Sequence, residues 1–265
     1  MPITPKDSFD FAMSRAKHQL ALYDILHDSR QRGIRSDWKD AFCRLMHWPV
    51  AETVVRVDGK NKNSMLILRE ELGLTRTEFT HDYVSELLRG VITSSISALD
   101  RYIHDQVSTQ SLKLLRRPEA NVPKELRQLK IPLLTAKKSL EKLRTDGNAR
   151  PGSILKADLR DLLHRDETFQ SVSGVERGAK MLGIKSFWSE MAKKLPGFTK
   201  AGDVQEALRG IATRRNQIVH EADLIIQDRA RQPKLRDIAR SEAEDAQDFI
   251  CNFVSAFDEL VDENC

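Results

Sequence analysis

The helical spacing of apolar residues is the feature that most constrains what this chain can fold into. Between residues 80 and 115, apolar side chains recur at three- and four-residue steps: Leu87, Leu88, Val91, Ile92, Leu99, Tyr102, Ile103 and Val107. That spacing places them on one side of an α-helix. Small residues at 93–95 and 97–98 would let a second helix approach closely. The segment therefore predicts a long, largely buried helix.

Two further stretches carry apolar stripes of the same kind. The first, over residues 202–224, contains Val204, Leu208, Ile211, Ile218 and Val219. The second, over residues 238–262, is rich in phenylalanine and contains Phe249, Phe253 and Phe257. We expect the helix of 202–224 to pack against the helix of 80–115, with the phenylalanine stripe completing the core.

Shorter helices are predicted by the same spacing at 9–30, 37–47, 133–144, 153–163, 173–182 and 184–195. Residues 50–69 are the least helical part of the chain. There, 54–59 predict a short strand and turn, and 64–72 predict a short helix. Because only 12 glycines and 9 prolines occur in 265 residues, the predicted fold class is all-α.

The expected domain organisation is a single domain over residues 1–265. A chain of this length can bury one large core or two modest ones. The sequence has no internal repeat and no interdomain linker. We therefore expect a helical extension over 1–75, followed by the core of the domain over 76–265.

Charge and composition set limits on partners and location. Charged residues make up 31% of the chain, and the net charge of +4 permits an acidic partner such as RNA without requiring one. Three cysteines without disulfide-framework spacing favour a reducing, cytoplasmic setting. The sequence has no signal-peptide pattern, and no apolar run approaches the roughly 20 residues of a membrane helix. We expect no membrane partner.

Residues 214–220, Arg-Arg-Asn-Gln-Ile-Val-His, interrupt the apolar pattern with polar groups and form the candidate site. Asn216 and His220 are four residues apart and share a helix face. Arg215 lies about 140° from His220 at about 100° per residue, so one helix would spread these two groups apart. The plain alternative is that Arg214 and Arg215 are solvated helix charges and His220 is an ordinary polar residue near a helix end.

Two strings of residues carry a resemblance to a known family. The string Arg215-Asn216-x-x-x-His220 resembles the Arg-x4-6-His signature of the HEPN superfamily. Upstream, the string from Ala98 to Asp105 is similar to the long helix of the HEPN proteins found beside RNA ligases and phosphatases. The two strings occur in the order expected for that type. The resemblance implies a HEPN-like helical bundle, here with additional N-terminal and inserted helices.

The resemblance also implies an activity. Members of this family are mostly ribonucleases that cleave RNA without a metal ion or other cofactor, through attack of the ribose 2′-OH. This chain would then be an endoribonuclease, a hydrolase with Arg215, Asn216 and His220 as catalytic residues. Imidazole exchanges protons near neutral pH, and a guanidinium neutralises charge on phosphate oxygens. Arg214 would contact the RNA backbone in support.

Partners follow from the same resemblance. RNA is the expected substrate, and a homodimer would bring two copies of Arg215 and His220 into one cleft. That arrangement would relieve the spread of the two groups around a single helix. The resemblance further implies a role in antiphage defence or stress. A partner protein or inhibitor encoded by a neighbouring gene is possible.

The upstream string contributes one more candidate. Asp100 would orient Arg215 or His220 across a helix pair, or else lie on the helix surface beside Arg101. Tyr102 is expected in the core and His104 on the surface. One departure from the better-known toxin pattern is that Glu221-Ala222 follow the histidine, with no tyrosine two residues on.

A second function class stays open: a catalytically inactive HEPN-like module that binds RNA, a nucleotide or a protein. Residues 113–144 contain ten Lys or Arg against three Glu, a local excess of +7. This stretch could follow an RNA backbone. It could equally be a solvated basic hairpin, because it lacks aromatic residues for base stacking.

Several enzyme classes lack their defining residues here. Cys43 and His47 do not make a zinc site, since two ligands are too few and no second pair follows. The sequence has no phosphate-binding glycine loop and no nucleophile elbow. Kinase, nucleotidyltransferase and α/β-hydrolase interpretations are therefore excluded.

Overall fold

The computed structural model describes residues 3–27, 30–32, 34–49, 54–59, 64–69, 81–130, 132–145, 151–225 and 232–265. These residues are mostly helical, which confirms the helical fold class. The helices are α1 (Pro5–Leu26), α2 (Ser36–Leu45), α3 (His81–Val84), α4 (Glu86–Leu115), α5 (Lys124–Arg127), α6 (Leu133–Thr145), α7 (Pro151–Asp166), α8 (Val172–Met181), α9 (Phe187–Lys194), α10 (Ala201–His220) and α11 (Arg240–Asn264). Within the described ranges, none of them is both long enough and apolar enough to cross a membrane.

A small antiparallel sheet interrupts the helical pattern. Its strands β1 (Arg30–Arg32), β2 (Val54–Asp58) and β3 (Met65–Arg69) lie in the order β1-β2-β3. The predicted strand at 54–59 is confirmed. The short helix predicted at 64–72 is wrong for residues 65–69, which pair with β2, and residues 70–72 lie outside the described ranges. An apolar run this short does not distinguish helix from strand by its periodicity.

The chain divides into two compact units. The first comprises Met1–Arg15, Ile92–Arg236 and Asp245–Cys265, and the second comprises Ala16–Val91 and Asp237–Glu244. Within the second unit, Arg240 donates to both carboxylate oxygens of Asp24 at 2.6 and 3.0 Å and so ties the start of α11 to α1.

The core of the first unit is built on a buried tyrosine of α4. Tyr102 is fully buried, and its ring meets Phe9 and Phe257 edge to face, with centroids 6.0 and 5.9 Å apart. Its hydroxyl donates to Oδ1 of Asp258 at 2.6 Å, and Nε2 of Gln106 donates to the same oxygen at 2.7 Å. Burial and this hydrogen bond raise the pKa of Tyr102, so the hydroxyl remains a donor. The predicted contact between α4 and the phenylalanine stripe of α11 is confirmed.

The predicted neighbour of α10 is different. Instead of pairing most closely with α4, α10 packs on α9 and α8. The reason is the aromatic content of α9: the Phe187 ring lies 4.8 Å from Phe257 and 6.2 Å from Phe253. Aromatic side chains bury more apolar area than the aliphatic residues that α10 presents to its neighbours, and so take the place beside the stripe. Those α10 residues are Val204, Leu208 and Ala212.

We predict that Phe253→Ala lowers the free energy of unfolding by about 3–5 kcal/mol, because Phe253 is fully buried and its removal leaves a cavity. Urea denaturation measures the change. Phe11→Ala is the matched control, since Phe11 is 69% exposed, and it should change stability by no more than about 0.5 kcal/mol. Equal effects of the two substitutions would contradict the packing described above.

Candidate functional site

The candidate site lies at the carboxyl end of α10. Buried Val204, Leu208 and Ala212 follow one another at four-residue steps and hold the helix against its neighbours. Arg215 lies beyond the last of these and is partly exposed, while Asn216 and His220 are exposed. The helix ends at His220 itself. The packed part of α10 therefore projects its final turn, with the predicted catalytic residues, towards solvent.

Three predicted catalytic side chains meet at this helix end. Nη1 of Arg215 lies 3.3 Å from Nε2 of His220 and donates to Oδ1 of Asn216 at 3.0 Å. A guanidinium offers only donors, so Nε2 of His220 has to be unprotonated to accept this hydrogen bond. In that tautomer His220 presents a lone pair, the form that can take up a proton.

The expectation that one helix spreads Arg215 and His220 apart is wrong. The two residues are still about 140° apart around the helix axis at about 100° per residue. The arginine side chain is long enough to reach the next turn, and its Nη1 lies 3.3 Å from Nε2 of the imidazole. A cleft shared between two chains is therefore not needed to bring these two groups together.

The charge of Arg215 has no carboxylate counterpart among the residues that the structure describes. Its Nε is buried and has no hydrogen-bond partner there. Other arginines of α10 are paired: Arg209 with Glu206, and Arg214 with Asp223. A guanidinium without a carboxylate partner is suited to bind an anion such as phosphate.

Arg214, predicted to contact the RNA backbone, faces the protein instead. Its Nη1 and Nη2 donate to Oδ1 and Oδ2 of Asp223 in a bidentate pair, with 3.1 Å for the second contact. The side chains of Arg214 and Asp223 are only 13% and 1% exposed. Asp223 is a positioning residue of the candidate site that the sequence analysis missed, because nothing in its spacing marks it as buried.

The Arg214–Asp223 pair holds the backbone that follows His220. Ala222 and Asp223 have φ of 50° and 55°, left-handed values that non-glycine residues rarely adopt. The N–H of Asp223 donates to the carbonyl of Gln217 at 2.9 Å, and its carbonyl accepts from the N–H of Arg236 at 2.8 Å. The ion pair thus offsets an unfavourable backbone conformation and fixes where the helix, and with it His220, ends.

We predict that Asp223→Asn lowers the free energy of unfolding by about 3 kcal/mol, because it leaves a mostly buried Arg214 without its counter-charge. Urea denaturation gives the value. Glu206→Gln is the control: it breaks the exposed Arg209 pair of the same helix and should cost at most about 1 kcal/mol. The assigned role of Asp223 is refuted if both variants unfold at the same urea concentration.

Asp100 lies away from the candidate site. Its Oδ1 accepts from the N–H of Phe169 at 2.6 Å, and its Oδ2 accepts from Nε2 of Gln170 at 3.0 Å. The predicted contact with Arg215 or His220 is absent, although all three residues are described. Asp100 instead anchors the connection between α7 and α8 to α4. Asp100 is not a surface carboxylate beside Arg101 either, because its side chain is only 19% exposed and both of its oxygens accept hydrogen bonds.

His104, predicted on the surface, is buried. It is 3% exposed, and its ring stacks on His164 with centroids 4.3 Å apart. Burial lowers the pKa of His104, the neighbouring carboxylate of Asp100 opposes this, and His164 lowers it further. Its Nδ1 has no hydrogen-bond partner among the described residues. The folded protein therefore favours a neutral His104.

This burial predicts a pH dependence of stability. The pKa of His104 is lower in the folded than in the unfolded chain, where it is about 6.5, so the unfolded state binds the proton more readily. The free energy of unfolding should therefore be highest above pH 6.5 and should decrease as the pH falls below that value. We expect His104→Gln to flatten this decline in urea denaturation between about pH 7 and pH 5. His18→Gln, at an exposed histidine, should keep the wild-type decline; a decline unchanged in His104→Gln would refute the assignment.

Comparison of the chain with protein-family models, curated proteins and solved structures finds no match. The candidate site is therefore defined by its residues and their geometry. Among the described residues, no group of three His, Cys, Asp or Glu side chains is arranged to hold a metal ion.

Proposed function

We propose that this chain is a HEPN-type endoribonuclease that cleaves RNA with Arg215, Asn216 and His220. The observation that carries the proposal is the 3.3 Å separation between Nη1 of Arg215 and Nε2 of His220 at an exposed helix end. Phosphoryl transfer from a 2′-OH needs a proton acceptor next to a cation that faces the phosphate. These two groups have that chemistry and that proximity.

In the proposed reaction, Nε2 of His220 takes the proton of the ribose 2′-OH. The 2′ oxygen then forms a bond to the adjacent phosphorus, and the bond from phosphorus to the 5′ oxygen breaks. The electron pair leaves with the 5′ oxygen, which receives the proton from His220. The products are a 2′,3′-cyclic phosphate and a 5′-hydroxyl, so the protein needs no other reactant.

Arg215 stabilises the negative charge that builds up on the nonbridging oxygens. Among the described residues, its guanidinium contacts the side chains of Asn216 and His220 and no carboxylate that would neutralise its charge. The amide oxygen of Asn216 accepts from Nη1 at 3.0 Å and orients the guanidinium.

The wider setting of the activity is part of the same proposal and rests on the family resemblance. It comprises a homodimer, a cytoplasmic location, a role in antiphage defence or stress, and control by a partner protein or inhibitor. The exposed cations of residues 113–144 offer a surface for the RNA backbone. They are Lys113, Arg116, Lys124, Arg127, Lys130, Lys137 and Arg144.

We predict that His220→Ala reduces RNA cleavage by about 10²–10⁴-fold, because it removes the proton acceptor while leaving the exposed helix end intact. Arg215→Ala should lose a similar factor, since one charge-stabilising donor contributes a few kcal/mol. Arg215→Lys should restore little, because an ammonium lacks the planar fork of the guanidinium. Arg209→Ala is the matched control on the same helix, and it should cleave like the wild type.

The measurement is digestion of structured and unstructured RNA in EDTA, with analysis of the cleaved ends. Cyclic phosphate and 5′-hydroxyl ends support the mechanism. A wild-type protein that binds RNA or a partner protein without cutting would establish the inactive binding module instead. Cleavage that needs Mg²⁺, or a His220→Ala variant as active as the wild type, would place the active site elsewhere.

A further inference from the structure

Helix α6 presents leucines to solvent. Leu133, Leu134 and Leu140 are 86%, 63% and 62% exposed. Leu133 and Leu140 are seven residues apart and so lie on the same side of the helix, with Ala136 between them. A single exposed leucine is ordinary, but three on a helix of 13 residues form a cluster. α6 therefore has a short apolar stripe that the described part of the chain leaves open to solvent.

Positive charge accompanies this stripe. α6 contains four Lys or Arg against one Glu, a net charge of +3. At about 100° per residue, Lys137 lies about 40° from Leu133 around the helix, and Arg144 lies about 40° from Leu140. Both cations are exposed. The acid, Glu141, is already paired with Lys137 at 3.5 Å. A partner that covers this side of α6 has to be apolar and anionic at once.

These two properties select among the possible occupants. A second copy of the chain would bring together two helices of net charge +3, which repel each other. An RNA strand would use the cations but not the leucines, and α6 contains no aromatic residue on which a base could stack. The surface of an anionic bilayer supplies phosphate groups for the cations and hydrocarbon for the leucines.

We propose that α6 is a membrane-surface helix, which lies on an anionic bilayer with its leucines at the boundary between headgroups and acyl chains. Lys137 and Arg144 then extend to the lipid phosphates. At about 1.5 Å per residue, the 13 residues of α6 span about 20 Å, less than the roughly 30 Å of the hydrocarbon core. No membrane partner is expected from the sequence, because it has no spanning run, but a helix that lies on the surface needs none.

This inference goes beyond the proposed function and does not depend on it, because α6 shares no residue with the site at the end of α10. The exposed cations of α6 also belong to the surface proposed for the RNA backbone, so charge alone does not distinguish the two uses. The leucines do, since a bilayer takes up their side chains and a phosphate backbone does not. The experiments therefore change leucine and cation separately.

The first experiment is co-sedimentation of the full chain with lipid vesicles in the absence of RNA. The wild type should bind vesicles of equal parts phosphatidylcholine and phosphatidylserine at least about tenfold more tightly than phosphatidylcholine alone, and salt should release it. Leu140→Gln should weaken binding to the mixed vesicles about tenfold, because it removes an apolar side chain without changing the charge. Leu45→Gln is the matched control, since Leu45 is 76% exposed on α2, and it should bind like the wild type.

The second experiment changes the charge. Arg144→Gln should weaken binding to the mixed vesicles and leave binding to phosphatidylcholine unchanged, because the neutral surface does not attract the cation. Arg209→Gln, at an arginine of α10 that is 54% exposed, is the matched control and should bind both kinds of vesicle like the wild type. In a parallel titration with single-stranded RNA, Leu140→Gln should bind as tightly as the wild type.

Four outcomes would overturn the inference. The wild type does not bind the mixed vesicles, or it binds both kinds of vesicle equally, or Leu140→Gln binds them as tightly as the wild type. The fourth is that Leu140→Gln loses RNA binding or abolishes a dimer seen in sedimentation velocity, which would assign α6 to RNA or to a second copy. A chain without ribonuclease activity would leave all of these measurements interpretable.

Discussion

The buried ion pair between Arg214 and Asp223 decides which of two adjacent arginines is available for chemistry. A charge taken out of water needs a partner, and Arg214 has one in a carboxylate that is almost fully buried. Pairing it turns the side chain away from solvent and anchors the backbone after the helix. Arg215, one position on, is left to reach His220. The geometry of the candidate site thus depends on an interaction that takes no part in its chemistry.

The same principle organises α4. Three of its polar side chains, those of Asp100, Tyr102 and Gln106, have partners on other parts of the chain, since burial of an unpaired group is costly. Asp100 accepts from Phe169 and Gln170, and Tyr102 and Gln106 share Asp258 of α11. These bonds are directional, so they fix how far each neighbour is displaced along α4. Apolar packing alone would tolerate a shift of one helix against another.

The sequence predicted the structure well where the apolar face of one helix determines it. It predicted poorly where a residue's burial or a helix's neighbours depend on several elements together. The long stripes predicted α4, α10 and α11, and the motif predicted that Arg215, Asn216 and His220 belong together. His104 was misjudged because its burial depends on His164 and Phe169, which are distant in sequence. Asp223 was missed because its burial comes from its pair with Arg214, which apolar spacing does not indicate. Likewise, residues 65–69 form a strand because β2 lies beside them. The packing of α10 on α9 was not predicted, because the aromatic residues of α9, Phe187 and Trp188, lie on a helix too short to show a long apolar stripe.

The contact between Arg215 and His220 also constrains the order of events in the proposed reaction. In the structure the donor Nη1 faces the lone pair of Nε2, so the proton acceptor is occupied by the cation beside it. A phosphate that enters between them draws the guanidinium to its own oxygens, since a charge-assisted hydrogen bond to an anion is stronger than one to a neutral imidazole. The same step frees Nε2 for the neighbouring 2′-OH. Substrate binding and exposure of the base are then one event, and a ligand without an anionic group of this kind would leave the base covered.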